Sequence, residues 1–326
     1  MKRKWIRRVS WILLTPVLLF VILMILLYIP PVQNLLRREV TAYASKATGM
    51  QIQVERIDLR FPLNLLVRGV EVIQQPDTLL SLESLNVRVQ AWPLVKGKVE
   101  VDEVTLSQVA FNSANLIEGM KIKGVLGRFF LQSHGVDLSN ELAVINQTEL
   151  SDTHVQMLMN DTTTTPKDTT ASAPVNWKVD LHKLKLKNVS FSMQLPADSM
   201  RMAAHIGEAF INDAQADLKN QFYELKQFLL SGSSANYDTG AAKPGEGFDA
   251  SHIAVRDIRI GLDSLLYKGR DMNAVIREFS MNERSGLSIT SLTGRAFSND
   301  SIIRIPGIKL QTPHSEIDLS AQTYWE

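Results

Sequence analysis

The side chains best suited to metal ligation or proton transfer are six histidines: His134, His154, His182, His205, His252 and His314. None has the spacing that such chemistry needs. A hydrolytic zinc helix sets two histidines four residues apart with a glutamate beside the first, and no two histidines here stand that close. The chain has no G-x-S-x-G elbow, no G-x-x-x-x-G-K-[ST] loop and no G-x-G-x-x-G turn. Gly245-Glu246-Gly247 matches only a fragment of a phosphate-binding loop. Acidic residues fall mostly singly, so no carboxylate pair is set up for acid–base work. Cysteine is absent, which excludes disulfides, thiolate metal sites and thiol catalysis. The expectation is a protein that is not an enzyme, with no cofactor and no metal.

A different chemistry is repeated along the chain: the solvation of apolar matter. Six segments share the order apolar-x-apolar-x-x-apolar-x-apolar. They are Ile52-Val54-Ile57-Leu59, Leu65-Val67-Val70-Val72, Val104-Leu106-Val109-Phe111, Leu184-Leu186-Val189-Phe191, Ile253-Val255-Ile258-Ile260 and Ile303-Ile305-Ile308-Leu310. The two middle residues are polar or turn-prone, as in Arg68-Gly69, Lys187-Asn188 and Pro306-Gly307. A strand of strict period two would turn the second apolar pair to the other face. One extra residue restores it, as a β-bulge does, and bulges add twist and curvature. The pattern therefore predicts a curved sheet with one face kept apolar. The candidate residues of that face are Val54, Leu59, Val70, Val104, Leu106, Val109, Phe111, Leu186, Phe191, Val255, Ile258 and Ile305. Their plainer reading is an ordinary closed core.

The elements that must position these residues follow from periodicity. From Met50 onward short runs alternate with period two and show no βαβ rhythm, so an all-β, antiparallel sheet is expected over 50–326. About 20 strands at ~4.8 Å would make it roughly 100 Å wide. Two Thr/Ala/Gly/Asp-rich stretches, Asn160–Val175 and Gly232–Phe248, read as flexible loops inserted into that one sheet. The last stretch, Ser315 to Trp325, still reads as a strand, and an apolar open edge predicts a covering chain or a longer polypeptide.

The N-terminus is a membrane sequence. Lys2, Arg3, Lys4, Arg7 and Arg8 precede Trp11–Ile29, nineteen residues without a charge. At ~1.5 Å per residue this run spans about 28 Å, close to the hydrocarbon thickness of a bilayer. It is too long, and lacks the small-residue site, for a cleaved signal peptide. It reads as an uncleaved signal anchor, with Trp11 and Tyr28 at the two interfaces and residues 1–10 in the cytoplasm. A helix over 31–48 follows, between Pro31 and Gly49, with Val32, Leu35, Leu36, Val40 and Tyr43 on one stripe. That stripe either packs on the sheet or lies in the membrane interface. The overall charge is +1, from 35 Lys+Arg against 34 Asp+Glu, which argues against nucleic acid as a partner.

Several stretches, in this order, resemble one family. They are the basic anchor and helix ending in Ala47-Thr48-Gly49, Gln51 to Leu59, Phe61-Pro62-Leu63, and Leu66-Val67-Arg68-Gly69-Val70-Glu71-Val72. Ala91 to Val99 running into Val101 to Phe111, Phe248 to Ile253 with Ile258 to Leu266, and Leu310 to Ile317 complete the set. The order is similar to the N-terminal part of the TamB-like proteins, in the AsmA-like superfamily of Gram-negative envelope proteins, in their Bacteroidetes form. The resemblance implies a taco-shaped β-groove anchored in the inner membrane, with the bulk of the chain in the periplasm. It implies phospholipid carried along the apolar groove between the membranes. Alternatively it implies assembly of outer-membrane proteins, or autotransporter secretion, with a BamA-like outer-membrane partner. TamB-like proteins are far longer and carry a C-terminal domain with no counterpart in these residues.

Overall fold

The computed structural model describes residues 29–60, 63–90, 100–137, 140–159, 176–240 and 243–324. After one helix, α1 (Pro30–Thr48), the chain forms a single mainly β unit, a long, open, curved sheet of fifteen strands. They are β1 (Gln51–Arg60), β2 (Asn64–Gln74), β3 (Asp77–Val89), β4 (Val101–Asn112), β5 (Met120–Asp137), β6 (Leu142–Met159), β7 (Lys178–Leu195) and β8 (Met200–Asp217). β9 (Phe222–Asp238), β10 (His252–Lys268), β11 (Asp271–Glu283), β12 (Ser288–Ile289), β13 (Ser291–Ser298), β14 (Ile302–Gln311) and β15 (Glu316–Tyr324) follow. Spatial order is chain order, with the short β12 attached to β11 off the main path. Thirteen steps between fourteen strands at ~4.8 Å make the sheet about 62 Å wide. The width expected from sequence was too large because the longest strands run to 18 residues, so fewer strands use up the chain.

One ladder departs from the antiparallel expectation. β6 and β7 are parallel, Leu142 opposite Lys178 and Leu158 opposite Gln194. Met159 and Lys178, the two ends the chain must join, therefore lie at opposite ends of that seam. A hairpin cannot make this connection, and the 160–175 stretch expected to be a loop falls outside the described residues.

The curvature has a specific origin. At the middle pair of the apolar pattern the expected bulge, two residues opposite one, does not occur from β1 to β9. Each strand instead carries its extra residue at the same height as its neighbour, so the register runs through the kink unbroken. Glu55, Gly69, Glu83, Gln108, Gly127, Asp152, Asn188, Gly207 and Gly232 form one line of kinks across β1 to β9. Each lies opposite the next, between flanking pairs of constant register. Gly69, Gln108, Asp152, Asn188 and Gly232 have positive φ, from 50° to 59°. Gly, Asn and Asp are the residues that visit this region most readily. Register shifts away from this line occur at Val72/Ile73, at Arg88/Val89 and between Gln132 and Gly135, and on β10 and β14 they fall within the pattern itself, beside Asp257 and between Ile305 and Ile308.

The line also corrects the second expected loop. Gly232–Asp238 is the end of β9, not loop, and only the part beyond it leaves the sheet. The composition is small because the kink is crowded. A Cβ on Gly207 would stand 2.6 Å from the carbonyl oxygen of Gly232. Ser233, 3% exposed, accepts a hydrogen bond from the Gly207 N–H at 3.3 Å and donates to the Ser231 carbonyl at 3.2 Å. Thr153, opposite Leu126 and Val189, donates to the Ser151 carbonyl in the same way at 3.1 Å.

α1 runs along the free edge of β1. Pro30 opens it and Gly49, at φ 70°, closes it. Gln33, Arg37 and Ser45, four or eight residues apart, point at the edge. Gln33 Nε2 donates to the Leu59 carbonyl at 3.2 Å. Arg37 donates to the carbonyls of Val54 and Glu55 at 3.3 and 3.0 Å, and Ser45 Oγ accepts from the Ile52 N–H at 3.1 Å. The helix thus satisfies an edge that would otherwise present bare backbone groups, and Arg37 does so where the line of kinks begins. Among the described residues no helix is long and apolar enough to cross a membrane. Trp11, Tyr28 and the rest of the expected anchor except Ile29 lie outside the described residues.

Candidate functional site

The kinks place every apolar pair on one face. On each strand, two residues at kink height turn outward and the apolar positions on either side turn inward. Leucine, valine, isoleucine and phenylalanine from successive strands then meet directly opposite one another, and four register lines result. The central one reads Ile57, Val67, Leu85, Leu106, Phe129, Leu150, Leu186, Ala209, Leu230, Ile260 and Phe279, without a polar residue from β1 to β11. Across the kink a second reads Val54, Val70, Leu82, Val109, Leu126, Thr153, Val189 and Ile206. A third starts at Leu59 and includes Val104, Leu131, Leu184 and Phe228. The fourth starts at Ile52 and includes Leu80, Phe111, Val155, Phe191 and Val255 before meeting Glu283. Gly124 lies on this last line, and a Cβ there would stand 2.7 Å from the Phe111 ring.

The opposite face has no such line. The register through Leu66 reads Leu66, Asn86, Thr105, Phe130, Glu149, Lys185, Phe210 and Leu229, apolar and polar mixed. Two sheets packed face to face at about 10 Å bury their inner side chains. Among the described residues only Leu79, Leu82, Val109, Ala143, Leu195 and Ala209 are buried apolar side chains. Elsewhere on the apolar lines Phe191 and Ala204 are exposed and the other apolar residues half-buried; outward, Lys185, Lys187 and Asn188 are exposed while Leu66, Phe130 and Phe210 are half-buried. This is the burial of a single curved layer.

All twelve residues picked out by sequence lie on strands of the sheet, ten of them on these four lines. Val54, Val70 and Val109 share one line, Leu106 and Leu186 the central one, Leu59 and Val104 the third, and Phe111, Phe191 and Val255 the fourth. Ile258 pairs with Ser233, and Ile305 pairs with Ala321 on β15. Val109 is buried, Phe191 is 37% exposed, and the other ten are half-buried. Sequence reading missed the copy on β3, Leu80-Leu82-Leu85-Val87, although its spacing is the same. β5, β6 and β9 were harder, because Gly124, Thr153 and Ser233 stand where the pattern asks for an apolar residue.

The polar side chains are engaged locally. His182 Nδ1 contacts Asp213 Oδ1 at 3.1 Å across β7 and β8, and Lys226 approaches the same carboxylate at 3.7 Å. The hydrogen bond from His182, then the charges of Lys226 and His182, hold the Asp213 carboxyl below its ordinary range. His134 meets Asn146 at 2.6 Å, His154 meets Ser190 at 3.0 Å, and the buried His252 meets Asp249 at 3.1 Å. The Gly245 N–H donates to Asp249, whose pKa is lowered mainly by the Ser251 and Gly245 amides, so this loop binds its own carboxylate. No group of three or more metal-ligating side chains forms among the described residues. The comparisons add no relative to this geometry: no family model and no curated protein matches the chain.

Proposed function

We propose that the chain is a non-catalytic carrier of phospholipid, TamB-like in kind, anchored in the inner membrane and conducting acyl chains along the apolar face of its sheet toward the outer membrane. The observation that carries this reading is the central register line, apolar on eleven consecutive strands and covered by no second layer of described residues. Such a line solvates an alkyl chain at every point along it. Each buried CH₂ gains about 0.8 kcal/mol, so no headgroup contact is needed for binding, and equal lines at every strand favour sliding over trapping.

Photo-crosslinking in native membranes tests it. Phe111 and Phe191 are replaced by an aromatic photoreactive residue of similar shape, with Lys123 and Ser192 as outward controls. Lipid adducts at the two phenylalanine positions alone are the expected result. A folded protein with no adducts, or with equal adducts at the controls, overturns the conduit.

A further inference from the structure

α1 is amphipathic in the opposite sense to a helix packed on a soluble sheet. Its polar face does the packing, through Gln33, Arg37 and Ser45 on the β1 edge. Its apolar face is turned away: Leu35, Val40 and Tyr43 are 57%, 51% and 77% exposed. A surface helix of a globular protein buries its apolar stripe and leaves the polar one in water. The sequence around this inverted helix says what covers the stripe. The chain enters α1 directly from the uncharged run Trp11–Ile29, and α1 itself carries Arg37, Arg38 and Lys46 against Glu39 alone. An apolar stripe with a net positive charge, continuous with a membrane-length apolar run, matches the interface of an anionic bilayer.

We infer that the outward face of α1 lies in the headgroup region of an anionic lipid bilayer, with Leu35, Val40 and Tyr43 as the inserted residues. The helix then lies in the membrane plane and holds β1 on its far side. Strand order is chain order, so the apolar lines begin at Ile52, Val54, Ile57 and Leu59 beside the bilayer and lead away from it. This last step rests on the carrier reading and names β1 as the point where lipid enters. The docking of α1 does not depend on it.

The chain has no cysteine, so single-cysteine variants of the full chain take a spin label without background. Labels go at Leu35→Cys, Val40→Cys and Tyr43→Cys, with Lys187→Cys as the sheet control. The protein is reconstituted in vesicles of phosphatidylethanolamine and phosphatidylglycerol. Collisions with oxygen and with a water-soluble nickel chelate are measured. Membrane-inserted labels admit oxygen and exclude nickel, so the oxygen-to-nickel ratio at the three helix positions is expected to be several-fold above that at Lys187→Cys. Nickel access equal to the control places the face in water and overturns the inference. Exclusion of both reagents means protein covers the face, and also overturns it; dipolar broadening then identifies a second copy as the cover, and its absence points to another part of the same chain. Loss of lipid adducts at Phe111 and Phe191 with α1 still inserted defeats the carrier reading alone.

Discussion

Gly207 and Gly232 face each other across β8 and β9 at the line of kinks, and they are glycine for different reasons. Gly207 has ordinary φ, and its constraint is space. A Cβ there would stand 2.6 Å from the Gly232 carbonyl oxygen and 2.9 Å from that of Ser231, both backbone atoms that cannot swing aside. Gly232 has the space, its nearest obstacle being the Gly207 Cα at 4.0 Å, but it sits at φ 59°. Gly207→Ala should therefore cost the overpacking energy of about 1–3 kcal/mol, offset by about 0.4–1 kcal/mol from the stiffer unfolded chain. Gly232→Ala should cost the left-handed penalty of about 1–2 kcal/mol with the same offset, and Gly232→Asn should recover most of it. Asn188 supplies the precedent, at φ 52° on the same line. Hydrogen–deuterium exchange of β8 and β9 peptides reads these local energies directly. A net loss of 1–2 kcal/mol speeds exchange roughly 5- to 30-fold there, and leaves β1 to β4 unchanged. If Gly207→Ala exchanges like wild type, the close approach does not limit the kink. If Gly232→Asn exchanges as fast as Gly232→Ala, backbone conformation is not what glycine provides at that position.

Ser233→Ala removes the acceptor of the Gly207 amide and should destabilise the β8–β9 kink by about 1–3 kcal/mol, visible in the same peptides. Arg37→Ala strips two edge carbonyls of their donor and should raise exchange in β1 without affecting β7; Arg37→Lys should rescue only part, because an ammonium lacks the guanidinium fork. Leu186→Glu puts a charge on the central line at a half-buried position; native circular dichroism with loss of lipid adducts at Phe191 is expected, and global unfolding would indicate a closed core. His182→Ala should return the Asp213 pKa toward 3.8, followed by carboxyl NMR. Because that folded pKa is depressed, its contribution is present above the unfolded value and fades as pH falls through the folded one; the part of the wild-type advantage over His182→Ala that comes through Asp213 should be lost below about pH 4.

The apolar face was legible in the sequence because the kink leaves a spacing signature, apolar pairs separated by two residues. It was legible on β1, β2, β4, β7, β10 and β14, where both flanking pairs are aliphatic or aromatic. It was hidden on β6 and β9, where Thr153 and Ser233 replace an apolar residue to satisfy backbone groups at the kink. The alignment of kinks between strands could not be read, since spacing within one strand says nothing of its height against the next. The parallel β6–β7 ladder was equally hidden. Strand direction is set by where the connection returns, and a Thr- and Asp-rich connection has the same composition whichever way it runs. The tail of β9 was misread because small residues chosen for crowding look like small residues chosen for flexibility.

The aligned kinks bear on how such a sheet can change length. Strands in it hydrogen-bond to their ladder neighbours, so its energetics approach those of a one-dimensional polymer, a sum over adjacent pairs. A hairpin duplicated between β1 and β6, with its kink at the common height, would extend all four apolar lines by two monomers and disturb no distant contact. A hairpin with its kink one residue off would break every line at once. Growth in this architecture is thus quantised in hairpins and policed by a single coordinate, the height of the kink.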